Sequence, residues 1–180
     1  MKLAEEIKQQ KFENVHAEAV LNLHFTSNWL FRLVQAELKP SDISHEQYNI
    51  LRILRGNRSG AYCLRDVQER MLNRTANTTR LVEKLRKRGL LSRRQNRSNR
   101  RMVEIRITEK GLALLEEMDG PLRELNRRMQ LALTDDEAGQ LSDILERLRE
   151  RLDVSGLARN PGEVPKSVRP RAPASHRGDR

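Results

Sequence analysis

The chain has 180 residues but one cysteine, six aromatic side chains and no unbroken apolar run longer than four residues. Each shortage excludes something. A single cysteine, Cys63, can form no intramolecular disulfide and gives no sign of an oxidising compartment. A run of four, as at 112–115, falls far short of the ~18–20 residues a membrane-spanning helix needs. The start, Met1-Lys2-Leu3-Ala4-Glu5-Glu6, has neither the basic head nor the apolar block of a signal peptide, so a cytoplasmic location is expected. Apolar residues make up 37% and charged residues 33%, which argues against a large β-barrel or α/β enzyme core and suits a helical protein with long charged faces. No Gly-rich phosphate loop, nucleophile motif or Ser/His/Asp arrangement with recognisable context is present, so no catalytic residue is assigned and no enzyme is expected. His16 and His24 stand eight apart on one predicted helix without a Cys or paired carboxylates beside them. No metal or cofactor is therefore expected.

What the chain does have is positive charge, and it is concentrated. The formal net charge is +10, and residues 72–110 alone carry thirteen basic and three acidic groups. Residues 1–71 come to +1, residues 111–155 to −5 and residues 156–180 to +4. The bland reading of such a run is a solvated face. At this density a polyanionic partner, nucleic acid or an anionic surface, is favoured over it.

The punctuation of the sequence then divides the chain. Residues 3–38 contain no Gly or Pro and read as one helix, with Val15, Ala19, Val20, Leu23, Trp29, Leu30, Leu33, Val34 and Leu38 close to a 3.6 period and Pro40 marking the end. Ser44-His45-Glu46-Gln47 is a capping box that opens a helix stopping at Gly56. A very short strand at Ala61-Tyr62-Cys63 and a helix over 64–72 follow, then a turn at Asn73-Arg74-Thr75, with Thr75 a candidate helix cap. The next helix covers 76–88, with Leu81, Val82 and Leu85 as its buried side, and Gly89 stands where a positive-φ C′ residue is wanted. Strands at 90–94 and 102–107 form a hairpin around the polar tip 95–100, the second alternating Val103, Ile105 and Ile107 with Glu104 and Arg106. Thr108 caps a helix over 109–133 that Gly120-Pro121 should kink or split. Thr134-Asp135-Asp136-Glu137 is a second capping box. The last helix carries a seam of Leu141, Ile144, Leu145, Leu148 and Leu152 able to pack on a partner helix. Four of the six prolines fall after residue 156, and 156–180 reads as a disordered basic tail.

Helix, tight turn, helix and hairpin, centred on the basic segment, is the order of a winged helix-turn-helix. Its second helix suits the DNA major groove and its hairpin the minor groove. The residues carry a family resemblance here. The run from Asn77 through Thr78, Thr79, Arg80, Leu81, Val82, Glu83, Lys84, Leu85, Arg86, Lys87, Arg88 and Gly89 to Leu90 and Leu91 resembles the recognition helix and first wing strand of the MarR family of bacterial transcription regulators. Asn99-Arg100-Arg101, the stretch from Val103 to Gly111 and Tyr48-Asn49-Ile50-Leu51-Arg52-Ile53-Leu54 are similar to the same family's wing and second helix. The resemblance covers about residues 15–152. It implies a mainly α fold with a small β-hairpin. The DNA-binding lobe would cover 44–108 and the dimerisation helices 3–38 and 109–152, within one domain over 1–155. It further implies a homodimeric, sequence-specific regulator, a repressor, that binds a pseudo-palindromic operator on duplex DNA and is released by a small-molecule effector.

Carried over residue by residue, Arg74, Thr75, Asn77, Thr78 and Arg80 fall at the start of the recognition helix. There Asn77 can pair with adenine, and Arg74 or Arg80 with guanine or phosphate. Thr75 and Thr78 suit phosphate or a thymine methyl, and Lys84 and Lys87 suit phosphate. Arg101 matches the minor-groove arginine of the wing, flanked by Arg97 and Arg100. Where the family usually has Asp, this chain has Asn99, which keeps an acceptor but loses the charge-assisted grip on the wing arginine and implies a less rigid wing. Arg86 and Arg88 stand equally as solvated groups or phosphate contacts, and Glu83 is expected to pair with Lys87. The resemblance places an effector pocket near Phe25, Trp29, Phe31 and Tyr48, whose plainer reading is core and dimer interface. Cys63 reads as a structural thiol rather than a redox sensor. Two rivals stay open: a nonspecific DNA-architectural protein, and a ligand-binding protein that has lost DNA binding.

Overall fold

The computed structural model describes residues 1–58, 60–95 and 103–153. The wing-tip residues Arg97, Asn99, Arg100 and Arg101 and the tail 156–180 lie outside the described residues. The chain divides into two compact units, one spanning Met1–Thr134 and the other beginning at Asp135.

The first expectation to change is the opening helix. Instead of one helix over 3–38 there are two, α1 (Leu3–Glu6) and α2 (Val15–Leu38). Lys8 takes a left-handed conformation (φ 53°), so that Gln9 N donates to Ala4 O and Lys8 N to Glu5 O, a Schellman ending built without glycine. Asn14 then restarts the helix, its side chain accepting from His16 N at 3.0 Å and Ala17 N at 2.9 Å. A 3-10 turn, Lys39–Ser41, holds Pro40 near its start and ends at left-handed Asp42.

Helix α3 (His45–Arg55) opens with the predicted capping box. Gln47 N donates to Ser44 Oγ at 3.2 Å and Ser44 N to Gln47 Oε1 at 2.9 Å. Its buried Tyr48, Ile50, Leu51 and Leu54 make it the centre of the first unit. Helices α4 (Leu64–Arg70) and α5 (Thr78–Lys87), the strand Val103–Ile107 and the long helix α6 (Glu109–Ala132) all pack on it, as does α2. The core is one cluster in which Leu38, Val67, Met71, Val82, Leu85, Leu90, Leu91, Ile105, Leu115 and Met118 join the α3 residues. Leu81, expected as core, is half-buried against it.

Strands β1 (Leu91–Gln95) and β2 (Val103–Ile107) pair antiparallel, with Leu91 opposite Ile107 and Arg93 opposite Ile105. The strand expected at residues 61–63 is a single bridge. Tyr62 exchanges both backbone hydrogen bonds with Ile105, and the Arg70 guanidinium lies 4.7 Å above its ring.

The junction of α5, β1 and α6 is tight. Gly89 takes φ +73° as expected, letting Gly89 N donate to Arg86 O and Leu90 N to Leu85 O. Thr108 caps α6 by accepting from Gly111 N at 3.1 Å and donates its hydroxyl to Gly89 O at 2.7 Å, while Thr108 N donates to Leu90 O. Gly111 presses so closely on this turn that a Cβ there would stand 2.1 Å from Leu90 O. Helix α6 runs on through Pro121 without splitting. Pro121 has no N–H for the carbonyl four residues back, but buried Leu115, Met118 and Leu122 hold both sides of it to the core.

The second unit is described through α7 (Asp135–Asp153). Leu141, Ile144, Leu148 and Leu152 are between 38% and 52% exposed, and Leu145 is half-buried.

Two glycine substitutions should move stability in opposite directions. Gly111→Ala forces a Cβ against backbone that cannot yield and should cost about 3 kcal/mol. Gly120→Ala meets nothing within 4 Å and should stabilise α6 by about 0.5–1 kcal/mol. Thermal and urea unfolding of the two variants beside the parent chain checks both signs.

Candidate nucleic-acid interface

The connection from α4 to α5 is set by local hydrogen bonds. Leu72 N donates to Asn49 Oδ1 of α3 at 3.0 Å, which fixes the turn to the centre of the lobe. Asn73 Oδ1 then accepts from Thr75 N at 3.2 Å and Thr75 Oγ1 at 2.7 Å. Thr75 is therefore a turn residue. The α5 cap is Asn77, whose Oδ1 accepts from Arg80 N at 3.0 Å, and the helix begins at Thr78, two residues later than the sequence indicates.

This bears on two assignments. Thr78 is 4% exposed, with its hydroxyl directed to Ala76 O, so it serves the core. Asn77 is exposed, and its cap uses one lone pair of the carbonyl oxygen, leaving the other and the amide donors at the surface.

The rest of α5 presents charge. Arg80, Glu83, Lys84 and Lys87 share its outward side at i, i+3, i+4 and i+7, while Val82 and Leu85 face the core. Arg74, Arg80, Lys84 and Lys87 are exposed and form no ion pair with any described residue. Glu83 pairs with Arg86 rather than Lys87: Arg86 Nε donates to Oε2 at 2.9 Å and Nη2 to Oε1 at 2.8 Å. Those bonds hold the Glu83 carboxyl below its ordinary pKa, with further attraction from Lys87 and from Arg93 of β1. Arg88 points elsewhere. Its guanidinium donates to the main-chain carbonyls of Ser41 (2.9 Å) and Asp42, tying the C-terminal end of α5 to the turn after α2.

On the hairpin, Arg93 and Arg94 of β1 are exposed, and Glu104 of β2 pairs with Arg106 at 3.2 Å. The electrostatic concentration seen in the sequence is thus a surface, formed by α5, the turn before it and the adjoining strands. Arg97, Asn99, Arg100 and Arg101 lie outside the described residues.

The aromatic set does not converge. Phe25 and Trp29 are half-buried, and exposed Phe31 meets His45 edge-on at 5.1 Å. Tyr48 alone of the four lines a cleft of about 210 Å³ between α3 and α6, with Arg52, Arg55, Asp119, Leu122, Arg123 and Asn126. Arg55 Nη1 donates to both Asp119 oxygens, at 3.1 and 2.9 Å, across it. Sequence reading missed this cleft because its polar residues come from two helices more than sixty positions apart. Cys63 is half-buried at the start of α4, where its backbone N donates to Asp66 Oδ2 at 2.8 Å. Among the described residues no His, Cys, Asp and Glu cluster could hold a metal, and no helix is long and apolar enough to cross a membrane.

Comparison with known proteins bears on this arrangement. Residues 43–103, the lobe with the turn, α5 and the first strand, match the model of the MarR family. Over 77 residues the chain is 36% identical to the transcriptional repressor MprA of Escherichia coli K12, covering 43% of this chain. It spans less than half, 44%, of that relative's length. The solved MarR transcription factor of Planctomyces limnophilus is 30% identical, with 76% of this chain and 98% of that one covered and a TM-score of 0.58. The chain belongs to the MarR family. A mutant MarR from Escherichia coli, solved in complex with operator DNA, shares the fold at 21% identity and a TM-score of 0.66, covering 77% of this chain and 99% of that one. MarR winged-helix architecture accordingly accounts for the order of α3, α4, α5 and the hairpin.

Replacing Asn77 separates capping from base reading. Asn77→Ala should lower stability by about 1 kcal/mol through loss of the cap, and Asn77→Ser should restore it. Thermal melts, followed by titration of both variants against selected and scrambled duplexes, test the point. A Ser variant as stable as the parent that still loses sequence preference would return Asn77 to base readout.

Proposed function

We propose that this protein is a homodimeric, sequence-specific duplex-DNA-binding transcriptional repressor. The observation that carries the reading is the outward stripe of α5, where Arg80, Lys84 and Lys87 form no ion pair among the described residues, preceded by Arg74 and flanked by Arg93 and Arg94. A helix of this kind fits the major groove, and free cations along it bind phosphate and set register. The family of repressors to which the chain is related, and the operator complex of a protein with the same fold, support the same partner. Arg74 and Arg80 are the base-reading candidates, Lys84 and Lys87 the phosphate contacts, and Arg97, Arg100 and Arg101, with Asn99, the wing contacts. The architectural rival lacks a reason for so ordered a turn, and the ligand-carrier rival lacks a reason for the unpaired stripe.

Dimerisation is inferred from exposed apolar mass. Val15, Val20, Leu21, Leu23 and Phe31 on α2, and Leu141, Ile144, Leu148 and Leu152 on α7, remain accessible in the single chain. Covering such surface is favourable by about 25 cal/mol per Å². A two-fold dimer would read a pseudo-palindrome with half-sites about one helical turn apart. Selection of bound sequences from a random duplex pool tests the whole reading. The expected result is an inverted repeat; an unenriched pool would favour the architectural rival. Lys87→Ala should weaken binding to every duplex alike and reduce the salt slope by about 1.

The cleft between α3 and α6 is the effector site we infer. Arg52, Arg55 and Arg123 against one carboxylate, Asp119, with a Tyr48 wall, suit a single-ring aromatic acid. Benzoate should bind by calorimetry and weaken DNA retardation, benzamide should do neither, and Arg123→Gln should abolish the benzoate effect. Equal behaviour of the two compounds would remove the charge-based assignment.

A further inference from the structure

The basic segment 72–110 contains three acidic residues, and the structure pairs each of them: Glu83 with Arg86, Glu104 with Arg106 and Glu109 with Arg58. Glu83 differs in place. It lies within the outward stripe of α5, between Arg80 and Lys87, on the surface offered to DNA. A carboxylate there repels phosphate, so for affinity alone it is the wrong residue. Its two oxygens take the Nε and Nη2 hydrogens of Arg86 at 2.9 and 2.8 Å. That edge of a guanidinium is one that can fork a phosphate.

We propose that Glu83 is a specificity-determining residue that holds Arg86 along the helix and off the DNA backbone, so that affinity for duplexes of arbitrary sequence stays low. The proposal rests on the DNA-binding reading above. The pair is electrically neutral as a unit and displaces no counterion from DNA. Arg86 released from it would add one phosphate contact that carries no sequence information. Selectivity is a difference between affinities, and a residue that weakens the wrong complexes raises it as surely as one that strengthens the right complex. Glu83 does this at short range: its hydrogen bonds go to Arg86, three residues on, while Arg80, Lys84 and Lys87 form no ion pair with it.

The test is a double-mutant cycle in the full chain, using the duplex selected from the random pool and a scrambled duplex of the same composition, each titrated over a range of salt. Glu83→Gln should bind the scrambled duplex about 5- to 10-fold more tightly near 0.1 M salt, with a salt slope steeper by about 0.9. The selected duplex should gain less, so sequence preference falls. Arg86→Gln alone, which leaves the Glu83 carboxylate uncompensated, should weaken binding to both duplexes alike, and in the Glu83→Gln, Arg86→Gln double variant the gain over the parent should vanish. Loss of affinity with an unchanged slope in Glu83→Gln would mark a structural role and overturn the proposal, as would a gain that survives removal of Arg86. A parent chain that retards no duplex at low salt would instead overturn the DNA-binding reading on which the proposal stands.

Discussion

The carbonyl groups of Gly89 and Leu90 are the point on which the lobe depends. Leu90 N closes the end of α5 on Leu85 O, and Leu90 O receives Thr108 N from the far end of the hairpin. Thr108 Oγ1 binds Gly89 O and at the same time caps α6. Gly111 completes the contact by having no side chain to hold α6 away. One turn thus fixes the end of α5, the start of β1, the end of β2 and the first turn of α6. A shift of α6 by a fraction of an ångström must displace the hairpin or α5, because packed backbone has little room to deform.

Around that junction the energetics are those of a small helical lobe. Helix α3 supplies the apolar face on which other elements close, and Asn49 and the Ser44 cap satisfy backbone groups at its borders. The basic surface is built differently. Its side chains are exposed, and their placement depends on helix geometry rather than burial. This division explains how so basic a stretch folds: Arg80, Lys84 and Lys87 share the outward side of α5 and Arg93 and Arg94 are exposed on β1, while Val82, Leu85, Leu91 and Ile105 go inward.

Much of the fold was legible because its signals are local. The Ser44 capping box, positive φ at Gly89, the Thr108 cap and the alternation of β2 each need a few neighbouring residues, and all appear in place. What was hidden lies in positions where one residue type has several local uses. Asn73, Thr75 and Asn77 can all cap or turn; the structure gives the turn to Asn73 and the cap to Asn77. Lys8 ends a helix in a conformation usually left to glycine, which no propensity would flag. The site was legible as a surface and illegible as a wiring diagram. Sequence spacing allowed Glu83 to reach either Arg86 or Lys87, and allowed Arg88 either solvent or phosphate. Distances within one helix do not decide between such choices; the surrounding chain does, as the Ser41 carbonyl does for Arg88.

That last contact is lopsided in what it asks of the genetic sequence. Arg88 spends its guanidinium chiefly on main-chain oxygens, which every residue type has, with the Asp42 carboxylate 4.0 Å away as a further partner. Position 41 can therefore drift in side chain while still offering the same acceptor, whereas position 42 keeps a left-handed turn and an opposite charge. Position 88 has no such latitude, since a planar, multi-donor cation has no substitute among the other side chains. The tie between the turn after the first long helix and the end of α5 thus depends far more on position 88 than on position 41.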